Sequence, residues 1–168
     1  MQTEQGIEEI ISRNNAVVDK HFEYEAAGKV ADVLSLYSSE GTKWRSRTRN
    51  FELDSLGAIE ANYDDIFSGI DKAKFETKFR IVTLTTVFDY SILTFVATKE
   101  GHFSGTKKGD RGEIHLFHRF EINEKGEITL EEVDEMLAGQ VYEQLQLNGL
   151  ATLVRATALS ERELYRQL

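Results

Sequence analysis

The sequence predicts an α+β domain in which helices come first, strands follow, and the helices gather on one face of a curved antiparallel sheet. Three observations carry this. Apolar residues recur at helical spacing from the N-terminus to Ile70, the period switches to two beyond Asp71, and 168 residues suit one core rather than two.

Taken in order, Ile7, Ile10, Ile11, Val17, Val18 and Phe22 predict an amphipathic helix over Thr3–Ala27, ended by Gly28. Val30, Val33, Leu34 and Tyr37 line a second helix over Lys29–Tyr37, and Ser38-Ser39-Glu40-Gly41 supplies a turn. Thr42–Phe51 suits a strand with Arg45, Arg47 and Arg49 on one face. Asp54 or Ser55 can cap a third helix striped by Leu56, Ile59, Tyr63, Ile66, Phe67 and Ile70. Four strands follow, at Lys74–Phe88, Ser91–Thr106, Gly112–Asn123 and Glu127–Leu137. They are divided by turns at Asp89-Tyr90, Lys108-Gly109-Asp110 and Glu124-Lys125-Gly126. From Leu147 onward, Leu150, Leu153 and Val154 predict an appended C-terminal helix, giving units of 1–146 and 147–168. Its apolar edge would meet either a partner subunit or its own domain.

Composition narrows the chemistry. With no cysteine there are no disulfides, thiolate zinc sites, iron–sulfur clusters or thiol nucleophiles. A net charge of −9 argues against nucleic acid or an anionic membrane as the main partner. No apolar run approaches the ~20 residues of a membrane span. Met1-Gln2-Thr3-Glu4-Gln5 lacks the features of a signal peptide, so a cytoplasmic location is expected. Phosphate loops, dinucleotide fingerprints and nucleophile elbows are missing, and no cofactor is expected.

The element order, with Phe22-Glu23-Tyr24-Glu25-Ala26-Ala27-Gly28, Gly101-His102-Phe103-Ser104-Gly105 and Gly126-Glu127-Ile128 leading to Gln144-Leu145, resembles the SnoaL-like branch of the nuclear transport factor two-like superfamily over roughly residues 5–146. The resemblance implies a cone of sheet wrapped around the helices, open at one end to a small, largely apolar molecule. It covers ketosteroid isomerases, polyketide cyclases, dehydratases, epoxide hydrolases and proteins with no chemistry, so the fold does not choose among them. The position of the isomerases' oxyanion-binding tyrosine falls on His21 and that of their base aspartate on or beside Arg45, which cannot accept a proton. The cyclases' catalytic aspartate falls on Met136, with Asp134 and Glu135 beside it.

The last hairpin carries the sharpest signal. A three-residue loop ending in Gly126 sets Asn123 against Glu127, and from there Ile122 faces Ile128, Phe120 faces Leu130, His118 faces Glu132, Leu116 faces Asp134 and Ile114 faces Met136. One sheet face is then apolar except for His118, Glu132 and Asp134, a setting for an acid–base group near neutral pH. The same residues could instead form a structural pair, or lie on an outer face covered by a partner. His115, three residues from His118, points to the opposite face, so the two make no metal pair, and no metal is expected.

His102, between glycines, is placed either at the cone mouth or on an exposed strand, and His21 either in the core or against a ligand. The resemblance sets Trp44, Tyr63 and Phe67 near the opening, while aromatics at helical spacing more often belong simply to the core. The arginines either clamp an anionic group or form surface ion pairs. Glu121, Glu124, Glu127, Glu131 and Glu135 read as a solvated face.

Two functions follow. One is a binding cone for an apolar ligand, with Met136 and the aromatics as contacts; the other is a cofactor-independent acid–base enzyme using His118 with Glu132 or Asp134. Convergence of His118 and an acid at the end of a cavity of ~300 Å³ or more would favour the enzyme. Apolar residues such as Val82, Leu84 and Phe88 on the alternate sheet face predict a homodimer.

Overall fold

A computed structural model describes residues 4–101 and 106–137. The chain divides into two compact units, 1–135 and 136–168, and the account below is of the first. His102 and the C-terminal extension with its 146/147 boundary lie outside the described residues. No helix among the described residues is long and apolar enough to cross a membrane.

Helix α1 (Glu4–Ala26) runs from the N-terminal side and stops where Gly28, at φ +63°, reverses the chain. There the amides of Gly28 and Lys29 take the carbonyls of Glu25 and Tyr24. Helix α2 (Val30–Leu34) follows, then the short strands β1 (Lys43–Ser46) and β2 (Phe51–Leu53), and helix α3 (Leu56–Ser68). Ser55 caps α3, its side chain accepting from Ala58 N. The long strands are β3 (Ile70–Val82), β4 (Thr86–Ala97), β5 (Arg111–Ile122) and β6 (Ile128–Leu137). They form one mixed sheet in the order β2-β1-β6-β5-β4-β3, with β1 parallel to β6.

Helix α1 lies against β3 and β4, and α3 against β3. The helices bring Val18, Phe22, Val33, Ile59 and Tyr63 to a core completed by Val87, Leu93, Ile114, Leu116 and Phe120 of the sheet. Two consecutive side chains of α1 reach the hairpin tips. Asn14 donates from Nδ2 to the carbonyls of Thr83 and Leu84 (3.0 and 3.1 Å). Arg13 donates to those of Glu124 and Asn123 (2.6 and 3.2 Å).

Three expectations are corrected. The single strand over Thr42–Phe51 is two strands joined by a turn through Arg47–Asn50, where Asn50 takes φ +54°. The turn expected at Asp89-Tyr90 lies at 83–85, where Thr83 Oγ1 bonds the backbone of Thr85 and Thr86. Asp89 is instead buried inside β4, accepting from Arg80 Nε at 2.6 Å.

The third correction concerns register. The last hairpin closes as expected, with Asn123 N donating to Glu127 O at 2.9 Å and Gly126 at φ +84°. The alternation beyond it breaks, because Leu130, Glu131, Glu132 and Val133 are buried one after another. Pairing with β1 sets Glu131 beside Trp44 on the inner face and Glu132 beside Arg45 on the outer. From Glu131 on, the inward residues of β6 carry odd numbers where the hairpin arithmetic predicts even ones, a one-residue slip from the expected register.

Candidate functional site

Six buried polar side chains converge between α1, the end of α2, α3 and the centre of the sheet. His21 and Glu25 stand one helical turn apart on the face of α1 that also buries Val18 and Phe22, and His21 Nε2 lies 3.2 Å from Glu25 Oε1. From the sheet, Glu131 Oε1 comes within 3.6 Å of His21 Nε2 and 3.7 Å of His118 Nε2. Its other oxygen, Oε2, accepts from the hydroxyls of Tyr63 (2.7 Å) and Tyr37. Aromatic rings fix both imidazoles. His118 stacks on Phe120 with 5.4 Å between centroids, and His21 meets the same ring edge-on at 5.0 Å.

Burial opposes every charge here, so the shifts show which partners outweigh it. Burial pushes His21 down, but Glu25 and Glu131 together raise it to about 10, and it is an imidazolium at neutral pH. Burial pushes Glu131 up, yet His21 above all, then His118 and the Tyr37 hydroxyl, bring it down to about 2. For Glu25, burial prevails over His21 and the carboxyl is raised. His118 falls to about 4, because burial, His21 and Arg80 together exceed the pull of Glu131. The cluster therefore holds a cation, an ionised carboxylate and a neutral imidazole side by side. Chemically, Glu131 can accept a proton or bind a cation, and His118 can donate or accept a hydrogen bond.

Glu25, His118 and Glu131 form the polar end of a cavity of about 50 Å³. Trp44, Tyr63, Phe67, Phe75, Leu116 and Val133 are among its apolar walls. Arg49 and Glu135, paired at 2.5 Å, also line it. The volume accommodates a few water molecules or a comparably small group, far less than the ~300 Å³ of pockets that enclose drug-sized ligands.

Of the residues singled out in the sequence, His118, Trp44, Tyr63 and Phe67 line this cavity, and His21 lies behind Glu131. Glu132 and Asp134 do not line it. The expected pairing of His118 with Glu132 is absent because the slip turns Glu132 outward. There it meets Arg45 (3.1 Å), Arg47 (2.5 Å) and Arg119 (3.3 Å). Burial pushes Glu132 up, but these guanidiniums, Arg47 first, keep it below the usual carboxylate range. Met136, the position matched to the cyclase aspartate, is 40% exposed and belongs to the second unit. His115 points outward, as its spacing from His118 requires, and accepts from or donates to Tyr90 across 2.7 Å at Nδ1.

Glu131, expected on a solvated face, is buried; Glu135, expected on the same face, lines the cavity. The spacing of His21 and Glu25, four apart on the apolar side of a helix, was the available signal for the α1 half of the cluster. Nothing local marks Glu131, whose inward direction depends on the slip.

No protein-family model matches the sequence, and no curated protein matches it. Solved structures do. The fold is the one seen in solved structures described as SnoaL-like polyketide cyclases and as ketosteroid isomerase-like proteins. A candidate SnoaL-like polyketide cyclase from Jannaschia sp. CCS1 is 16% identical with a TM-score of 0.63, over 80% of this chain and 91% of its own. AclR, a candidate hydroxylase from Streptomyces galilaeus, is 13% identical with a TM-score of 0.63, over 79% and 85%. A protein with a ketosteroid isomerase-like fold from Catenulispora acidiphila DSM 44928, in complex with trimethylamine, is 8% identical with a TM-score of 0.57, over 70% and 82%. At these identities the likeness establishes the fold and leaves the activity to the site.

Proposed function

We propose that the protein is a cone-type binding protein for a small molecule, whose polar head meets Glu131 and His118 while its apolar part lies against Trp44, Tyr63 and Phe67. The observation that carries this is the juxtaposition of the Glu131 carboxylate and a neutral His118 imidazole in a cavity whose walls are otherwise mostly apolar, with Glu25 and the Arg49–Glu135 pair as the further polar lining. The size of the cavity favours an occupant of few heavy atoms, and the trimethylamine held by the Catenulispora protein of this fold is of that size. Trp44 is the single tryptophan, so its fluorescence reports on the cavity alone. Titration with trimethylamine, a small cation at neutral pH with three methyl groups, is expected to change Trp44 emission saturably, with affinity falling tenfold or more in Glu131→Gln. A strictly linear response in the wild-type protein refutes the reading.

We further infer that two copies meet through the outer face of the sheet. Phe79, Ile81, Phe88 and Phe117 are 58%, 47%, 46% and 42% exposed. Register joins them into one patch, since Ile81 pairs with Phe88, Phe79 with Tyr90 and Tyr90 with Phe117. Of the residues expected there, Phe88 takes part, Leu84 sits in the turn, and Val82 pairs with the inward Val87. Light scattering should give twice the 19.2 kDa of one chain, and Phe117→Asp should return it to 19.2 kDa. A wild-type protein that stays at 19.2 kDa at all concentrations removes the inference.

A further inference from the structure

We propose that His21, Glu25 and Glu131 form a binding site for one divalent transition-metal ion of the zinc type. This goes beyond the small-molecule reading and does not depend on it, because the ligands are the cluster itself. Each residue offers one ligand atom, His21 Nε2, Glu25 Oε1 and Glu131 Oε1, and the three lie within 4.8 Å of one another. A tetrahedral ion bonded at ~2.1 Å keeps its ligand atoms ~3.4 Å apart, and His21 Nε2 stands 3.2 Å from one carboxylate oxygen and 3.6 Å from the other.

The surroundings fit the chemistry. Two carboxylates from different elements share a nearly dry interior, at 6% and 1% exposure, around His21 Nε2, and a dication taking the place of the His21 proton would hold both more strongly than the single positive charge does. Glu131 Oε2 is taken by Tyr63 and Tyr37, so Oε1 is the oxygen left to face His21 and Glu25, as hydrogen-bonded partners orient a ligating carboxylate. The imidazole nitrogen selects zinc-like ions over magnesium or calcium, which take oxygen donors. Glu25 and Glu131 also line the cavity, leaving an open side for the ion's fourth position, next to His118. A volume of about 50 Å³ admits an ion with its water. The residues lie on α1 and β6, more than a hundred positions apart, which is why no spacing in the sequence announced a metal.

The test uses the full chain, stripped with a chelator and titrated with Zn²⁺ by calorimetry. One ion per chain at submicromolar affinity is expected, and X-ray absorption should show mixed nitrogen and oxygen ligands without sulfur. Co²⁺ should quench Trp44, which pairs directly with Glu131 across β1 and β6. Glu25→Gln and His21→Gln should each weaken Zn²⁺ binding a hundredfold or more, while His115→Gln, on the outer face, leaves it unchanged. Two results overturn the proposal. One is a wild-type protein that takes up no Zn²⁺ below ~10 µM, which needs no variant to fold. The other is a folded Glu25→Gln or His21→Gln protein that binds as tightly as the wild type.

Discussion

Glu131 and Glu132 are consecutive residues of β6, 1% and 4% exposed, yet they lie on opposite faces of the sheet and keep their charge by different means. Inside, Glu131 faces one imidazolium and two phenol hydroxyls, all buried with it. Outside, Glu132 faces three arginines whose side chains are 36%, 61% and 30% exposed. In the first case every partner has given up water, so each depends on the others. In the second the carboxylate is buried and its partners are not, so losing it returns three guanidiniums to solvent. Burial of one group therefore says little about the cost of removing it; the burial of its partners decides.

The largest effect that would break this comparison comes from Glu131→Ala. It leaves the buried His21 cation with Glu25 as its one carboxylate and the two hydroxyls bonded to each other without the carboxylate they share, and should cost about 3–5 kcal/mol in urea unfolding. Equal losses for Glu132→Ala would refute the distinction. The acidity dependence of the metal-free protein comes next. His118 is depressed to about 4 from ~6.5, so the unfolded chain protonates first and stability falls as pH drops from 6.5 to 4. Glu131, held at about 2, adds a further loss below ~4.3 as pH falls toward 2. His21, raised to about 10, contributes stability that is complete below ~6.5 and lost as pH rises toward 10. His118→Gln should flatten the acid limb and His21→Gln the alkaline one, read from melting temperatures across pH. Tyr63→Phe, which removes one hydrogen bond to an ionised group and leaves Tyr37 in place, should cost about 1.5–3 kcal/mol. Smallest is Glu132→Gln, at about 1 kcal/mol or less, and that loss should shrink further in high salt while the cost of Glu131→Ala persists.

The same pair of residues marks how far the sequence could be read. Side-chain periodicity marks the helices and long strands, because burying one face forces a pattern that the order of the residues displays. Alternation leaves His118 on the inner face or on a covered outer one, and the structure buries it beside Phe22 and Phe120; the loop at Glu124–Gly126 has the expected geometry. The one-residue slip in β6 was not legible, since no glycine or proline marks it, and it exchanged the roles of Glu131 and Glu132. The turn at 83–85 was missed for a related reason. Its chemistry comes from the Thr83 hydroxyl rather than from glycine, proline or asparagine, whereas Asp89, a turn former by type, is claimed by Arg80 in the interior.

Arg13 and Asn14 join the first helix to the tips of both long hairpins, and the Arg13 bond to Glu124 spans 111 positions of chain. This has a consequence for the order of events in folding. Helix α1 can form early, but its apolar side has no complete surface to dock on until the last hairpin has been made, so ring closure over most of the domain precedes the gain from that contact. During synthesis the helix must wait for nearly the whole cone domain to emerge. The domain should therefore fold slowly for its size, with the docking of α1 among the last steps and its release among the first on unfolding.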